Sequence, residues 1–399
     1  MTIGVKYIAY CNNSGYGLAA LAYVRALHNA GIPVWWQPWF LWGEPHLWTA
    51  ADGLQMLPLA HAAESGVALA ELRTLIDACT RPIAYDTVVC HTVPEEFGPF
   101  VEPSKRMLGY TVWETDALPM HWPRLLGAMD AIAVPSRLNA DIFRRGGVAR
   151  PVHVVPHICR RGWSAEARDD AAALRLQLRI PGDHFVFYTI GAWDPRKALE
   201  DLMVRFAETF RAEDRVTLLI KTSSAIGNAE RGSGSPVETR VREIAESAAR
   251  RLARARANFA VISADDISDR MIDAIHAIGD CYVSFTHGEA WGMGAFDAAA
   301  LGKPVLITGW GGPVDYLGED YPGLIEHQMT QVAGWLPHAS YEPNQRWAQP
   351  DLEHASALMH AAVARDPALF DAALRVQETI VNRFAEPVIA RQLLGAIDG

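Results

Sequence analysis

The feature that most constrains this chain is an alternation of short apolar runs with helix-patterned segments, which occurs twice. Val5 to Tyr10 is the first run. A turn-like stretch from Asn12 to Gly17 follows it, and then helical apolar spacing from Leu18 to Ala30. Gly31 ends that helix, and Pro33-Val34-Trp35 opens another extended run. Thr87 to Cys90, Met107 to Val112 and Ala131 to Val134 continue the pattern. It pauses near His157-Ile158-Cys159-Arg160-Arg161-Gly162. Five further runs then appear at Phe185 to Ile190, Val216 to Ile220, Phe259 to Ile262, Tyr282 to Phe285 and Pro304 to Thr308. Helical patterns separate them at Ala198 to Arg211, Val237 to Ala257 and Ser268 to Gly279. Runs this apolar belong to strands buried on both faces, and strands joined through helices pair in parallel.

A length of 399 residues exceeds what one hydrophobic core usually organises. The pattern therefore predicts two Rossmann-like α/β domains with parallel sheets facing an interdomain cleft. They are expected over residues 1–165 and 166–384, with the junction near 158–180. The tail after Pro350 is helical, and a last helix from Pro387 to Ala396, within residues 385–399, is expected to pack back on the first domain. In such folds a ligand sits at the C-terminal ends of the strands.

Composition narrows the partners. Thirty-six Lys and Arg stand against 46 Asp and Glu, a formal charge of -10. That balance argues against nucleic acid as a partner but leaves room for a small anion held by local cations and helix N-termini. The five cysteines, Cys11, Cys79, Cys90, Cys159 and Cys281, are scattered without metal-ligand or CxxC spacing, as in a cytoplasmic protein with reduced thiols. The N-terminus lacks a signal-peptide pattern, and no apolar run approaches the roughly 18 residues of a membrane span. Any membrane contact is expected to be peripheral, at the inner face.

Chemistry concentrates in His287-Gly288-Glu289-Ala290-Trp291-Gly292-Met293-Gly294-Ala295-Phe296-Asp297, between an apolar strand and a helix of small residues. Glycines around Trp291 let main chain approach a ligand, and a helix opening there turns free N–H groups toward an anion. Two carboxylates with seven residues between them suit the hydroxyl groups of a sugar beside a phosphate. A second segment, Thr189-Ile190-Gly191-Ala192-Trp193-Asp194-Pro195-Arg196-Lys197, places cations after a glycine turn, as a diphosphate requires. Lys221 ends the run Val216 to Ile220, where it either lines the cleft or is a solvated charge. Gly309-Trp310-Gly311-Gly312-Pro313 follows the next strand.

These segments resemble the family 4 glycosyltransferases, which have the GT-B fold and a Glu, seven residues, Glu signature. Glu289 matches the first carboxylate, which in that family contacts the donor sugar. Asp297 stands where the ribose-binding Glu is found. Lys197 matches the family lysine, while the family arginine position is Ala192, with Arg196 nearby to supply the charge. Gly191, Trp291, Gly292, Met293, Gly311 and Gly312 fall on donor-binding stretches. Asn13-Ser14-Gly15-Tyr16-Gly17 corresponds to the glycine loop of the first domain, so Gly15 and Gly17 join the donor-side candidates. Gly109 to Pro119, Met129 to Ser136 and Val155-Pro156-His157 resemble a hexosyltransferase-like bacterial branch. Where many relatives carry a sugar-contacting His, this chain has Trp113-Glu114, which leaves Glu114 and His91 as candidates for that role. Trp35, Trp36, Trp39, Trp42 and Trp48 crowd together, either bordering an acceptor site or packing as an aromatic corner.

The resemblance implies a retaining, metal-independent transferase without a cofactor. It would move a hexose from a UDP- or GDP-sugar to a glycan or lipid-linked acceptor in polysaccharide biosynthesis. Other enzymes on this scaffold, an epimerase or a phosphorylase, and a non-catalytic sugar-nucleotide binder remain alternatives.

Overall fold

Every central strand of the first half is buried on both faces, which is why it reads as apolar throughout: Val5, Ile8, Val88, Val89, Ile132 and Val134 have no solvent exposure. The architecture is that of a computed structural model, which describes residues 3–10, 14–39, 74–75, 77–159, 166–223, 237–253, 256–264, 267–333 and 340–399. The first sheet comprises β1 (Val5–Tyr10), β2 (Val34–Trp39), β3 (Thr87–His91), β4 (Arg106–Tyr110), β5 (Ala131–Val134) and β6 (Val152–Val154). Its order is β2-β1-β3-β4-β5-β6, with every pairing parallel.

The second sheet repeats the plan with β7 (Phe185–Ile190), β8 (Val216–Thr222), β9 (Asn258–Ser263), β10 (Cys281–Ser284), β11 (Val305–Thr308) and β12 (Leu324–Ile325). Its order is β12-β11-β10-β7-β8-β9, again all parallel. The chain lays strands outward from β7 in one direction and then returns to build from β7 in the other. The order thus reverses between β7 and β10, and loops leaving those two strands diverge and open a crevice at their C-terminal ends. An antiparallel hairpin, β13 (His327–Gln331) and β14 (Arg346–Pro350), completes the strands among the described residues. Apolar periodicity did not predict it, because both strands carry polar residues and neither is apolar throughout.

The helices are α1 (Gly15–Asn29), α2 (Trp122–Leu126), α3 (Arg137–Arg145), α4 (Ala167–Gln177), α5 (Leu199–Thr209), α6 (Val237–Leu252), α7 (Asp269–Ile278), α8 (Met293–Ala300), α9 (Pro313–Leu317), α10 (Leu352–Val363), α11 (Pro367–Arg383) and α12 (Glu386–Asp398). Helix α1 begins three residues before its apolar spacing does, since Ser14 caps it by accepting from the Gly17 N–H at 3.2 Å. Helix α4 lies within the stretch expected to be the junction. The chain divides into two compact units, Met1–Arg160 with Val381–Gly399, and Arg161–Ile380. The first unit therefore ends earlier than residue 165, and the return segment begins inside α11. Within the first unit α12 is tied to α1 by Glu386, which accepts from Arg25 at 3.1 Å and from Asn29 at 2.7 Å. Among the described residues no helix is long and apolar enough to cross a membrane.

Candidate functional site

The crevice of the second unit takes its first charges from the turn after β7. Asp194 accepts from the Arg196 N–H at 2.7 Å and starts a single 3-10 turn, Pro195–Lys197. Ala198 then adopts a left-handed backbone, φ 48°, which stops the turn before α5 begins. The helical spacing from Ala198 to Arg211 is met by one helix, α5, with Ala198 just before its first turn. Arg196 and Lys197 sit ahead of it on a separate tight turn.

The loop after β10 meets that turn directly. The His287 N–H donates to the Arg196 carbonyl at 2.8 Å, and the Thr286 hydroxyl donates to the same carbonyl at 3.3 Å. In return the Arg196 guanidinium donates to the Gly288 carbonyl and lies 3.5 Å from the Glu289 carboxylate. The Lys197 ammonium donates to the other oxygen of Glu289. All three side chains are largely buried, at 12%, 21% and 11% exposure for Arg196, Lys197 and Glu289. Burial pushes the Glu289 carboxyl upward, but the adjacent Lys197 and Arg196 charges outweigh it, and the group is held below the usual range as a carboxylate.

A third loop, after β11, closes against the second. The Gly312 N–H donates to the Glu289 carbonyl at 2.8 Å, and Gly311 takes φ +98° beside the same carbonyl. Helix α8 opens from Gly292, a left-handed residue without a capping side chain. Its small residues allow close packing: a Cβ on Gly294 would meet the Tyr282 hydroxyl at 2.8 Å.

The other candidates fall around this center or in the other unit. Asp297 lies one turn into α8, 6% exposed, and its charge adds to the burial that raises the Tyr188, Tyr282 and Tyr316 hydroxyls. Trp291 is buried, with its ring 5.1 Å from both Phe296 and Tyr316, and Met293 is half-buried at the start of α8. The Lys221 carbonyl accepts from the Gly191 N–H at 3.1 Å, so the end of β8 adjoins the cation-bearing turn. Gly15, Gly17, His91 and Glu114 belong to the first unit. There Gly15 and Gly17 form the first turn of α1, and Glu114 is half-buried after β4. His91 is 1% exposed, hydrogen-bonded to the Tyr7 hydroxyl at 2.9 Å, with its ring 4.2 Å from that of Tyr110. Trp35 and Trp36 lie on β2. The Trp39 side chain, Trp42, Trp48, Asn13 and Cys11 lie outside the described residues. Among those residues no three His, Cys, Asp or Glu side chains gather in a way that would hold a metal ion.

Sequence spacing did not single out His287. Burial, and then the Arg196 charge, lower its imidazole to about 4, against smaller opposite effects of Asp194 and Gln349. Burial likewise holds His91 well below its usual range. Both rings are neutral in the fold and take up protons on unfolding. The stability they contribute is therefore full above about pH 6.5 and is lost as pH falls below it; for His287 the loss runs from 6.5 toward 4 and amounts to about 3 kcal/mol. Urea midpoints should drop between pH 7 and pH 5, and His287→Asn should flatten part of that slope. An unchanged slope in the variant would contradict the assignment.

Two helix-covered parallel sheets, with the polar loops gathered at the C-terminal ends of the second, define an α/β protein of the GT-B fold. Solved structures share that fold across nearly the whole chain. Sucrose-phosphate synthase (tll1590) from Thermosynechococcus elongatus is 16% identical with a TM-score of 0.63, and the match covers 98% of this chain and 97% of that one. Anabaena Alr3699/HepE, solved with UDP-glucose, is 14% identical with a TM-score of 0.60, over 100% of both chains. WaaG, a glycosyltransferase involved in lipopolysaccharide biosynthesis, is 12% identical with a TM-score of 0.57, over 99% of this chain and 100% of that one. No protein-family model matches the sequence, and no curated protein does.

Proposed function

We propose that this chain is a retaining glycosyltransferase that moves a hexose from a UDP- or GDP-sugar to a hydroxyl of a glycan or lipid-linked acceptor. The observation that carries the reading is the Glu289 carboxylate gripped by Arg196 and Lys197 at the C-terminal edge of β7 and β10, the switch point of the second sheet. A sugar diphosphate supplies both complements to such a center. Its phosphates attract the two cations and the uncapped N-terminus of α8, and its sugar hydroxyls donate to the carboxylate. The family resemblance and the UDP-glucose bound by HepE support a nucleotide sugar over other anions.

In this reading Arg196 supplies the guanidinium that Ala192 lacks, and Asp297 with Lys221 lines the donor side. The bond between the anomeric carbon and the phosphate oxygen breaks while Arg196 and Lys197 stabilise the growing charge. The acceptor oxygen bonds to the same face of that carbon, and its proton passes to the leaving phosphate. Glu289 orients the sugar and forms no covalent bond. No metal or cofactor enters the scheme, and placement in the cytoplasm, with peripheral contact at the inner membrane face, belongs to the same reading. His91, locked among aromatic rings, is assigned a structural role, which leaves Glu114 as the polar candidate near the acceptor.

Thermal-shift titration with UDP, GDP and ADP tests the donor assignment. A ligand at 100 times its dissociation constant stabilises the fold by about 2.7 kcal/mol. One of the diphosphates should raise the melting temperature, and its labelled hexose conjugates should be hydrolysed or transferred. No shift with any of the three would refute the donor site, while binding without turnover would favour a non-catalytic binder.

A further inference from the structure

We propose that His287 and Trp347 form a positioning pair that sets Arg196 for the donor's diphosphate, so that the β13–β14 hairpin governs donor affinity without touching the donor. The proposal rests on the donor reading above and extends it to His287 at the edge of the motif and to Trp347 outside it. The His287 and Trp347 rings lie 4.5 Å apart at 41°, and both are buried, at 7% and 4% exposure. The main chain of His287 is held from two sides: its carbonyl accepts from the Ala348 N–H of β14 at 2.8 Å, and its own N–H donates to the Arg196 carbonyl at 2.8 Å. One residue thus joins the hairpin to the turn that carries both cations.

Arginine is a long side chain with much rotamer entropy to lose, and it serves a diphosphate best when its main chain is already fixed. The Arg196 carbonyl is fixed by the His287 N–H and the Thr286 hydroxyl, and its guanidinium by the Gly288 carbonyl and Glu289. Three of those four partners lie in the run Thr286 to Gly288, whose middle residue is clamped by Trp347. The imidazole faces Arg196 and Asp194 from the β7 turn and Trp347 and Gln349 from the hairpin, and burial keeps it neutral beside the guanidinium. Loss of either ring leaves a void behind the loop, and the Arg196 turn gains freedom that diphosphate binding must then remove.

Calorimetric titration of whichever diphosphate binds the wild type, UDP or GDP, together with its bare nucleoside, separates positioning from general loosening. His287→Ala and Trp347→Ala should each weaken the diphosphate about tenfold and leave the nucleoside unchanged. Trp347→Phe should restore most of the affinity, and His287→Ala should cost nothing further in an Arg196→Ala background. His287→Asn carries the same comparison if the alanine variant does not fold. Equal losses for diphosphate and nucleoside, or a full additional loss on top of Arg196→Ala, would overturn the pair while leaving the donor reading intact. A wild type that binds neither diphosphate overturns both.

Discussion

Glu289→Ala is expected to slow hexose transfer on the order of 100- to 1000-fold and to destabilise the ligand-free protein at the same time. The first effect follows from losing the carboxylate that orients the sugar. The second follows from what the carboxylate holds in the free protein. Arg196 and Lys197 converge on it with 12% and 21% exposure, so its removal leaves two neighbouring cations poorly solvated and facing each other. Breaking a fully buried pair costs about 3–5 kcal/mol, and partial exposure here places the cost toward or below the lower end. Two consequences separate this account from simple misfolding. Nucleoside diphosphate should stabilise Glu289→Ala by more than it stabilises the wild type, because the phosphates replace the missing anion. Glu289→Gln, which keeps the shape but not the charge, should unfold more readily than the wild type and remain slow. The Glu289 carboxyl sits below its usual pKa, so the stability it lends is present above about pH 4.5 and is lost as pH falls below that value. Near-normal turnover by Glu289→Ala would remove the center from the reaction. An unchanged melting temperature would show that the ion pairs contribute nothing to the fold.

The second large effect is expected at Gly312. A Cβ there would lie 2.0 Å from the Ala290 carbonyl oxygen and 2.6 Å from its carbon, both of them main-chain atoms without a rotamer to escape into. Gly312→Ala must therefore separate the β11 loop from the β10 loop and break the hydrogen bond to the Glu289 carbonyl. Overpacking of this kind costs about 1–3 kcal/mol and at times more, and the displaced loop carries Glu289 with it. Gly311→Ala adds a second penalty, since φ +98° is unfavourable for any side chain and its Cβ would lie 2.5 Å from the Glu289 carbonyl oxygen. Gly191 supplies the contrast. Its Cβ would meet only the Lys197 side chain, at 3.9 Å, so Gly191→Ala should stay within about 0.5 kcal/mol of the wild type. Chemical denaturation of the three variants, with donor binding alongside, tests the ordering. Comparable stability for Gly312→Ala and Gly191→Ala would contradict the packing of the two loops.

The glycines and charges of this site were legible because each follows a strand that announces itself. Ile190, Phe285 and Thr308 end apolar runs, and the residues after them are where an α/β sheet presents its loops. His287 was not legible in the same way. It lies within the motif, yet its partner Trp347 is on a hairpin whose polar strands show no buried-strand pattern. The short turn at Pro195–Lys197 showed no pattern of its own, because three residues are too few for a helical period, and the left-handed backbone of Ala198 separates it from α5. His91 shows the opposite case: an imidazole after a strand reads as chemistry, and only the folded protein shows it enclosed by the rings of Tyr7, Tyr23 and Tyr110.

The amino-acid order alone determined two successive parallel sheets, the strand ends that carry polar loops, and the residue types available there, because each depends on hydrophobic periodicity over a few neighbours. Strand order decided the rest. It brought β7 beside β10, and with them Lys197 to Glu289 across 92 positions of chain, a meeting that no local spacing encodes. Which cation finds which carboxylate, and which imidazole is enclosed, depends on side chains packed from distant elements, and that information exists only in the folded protein.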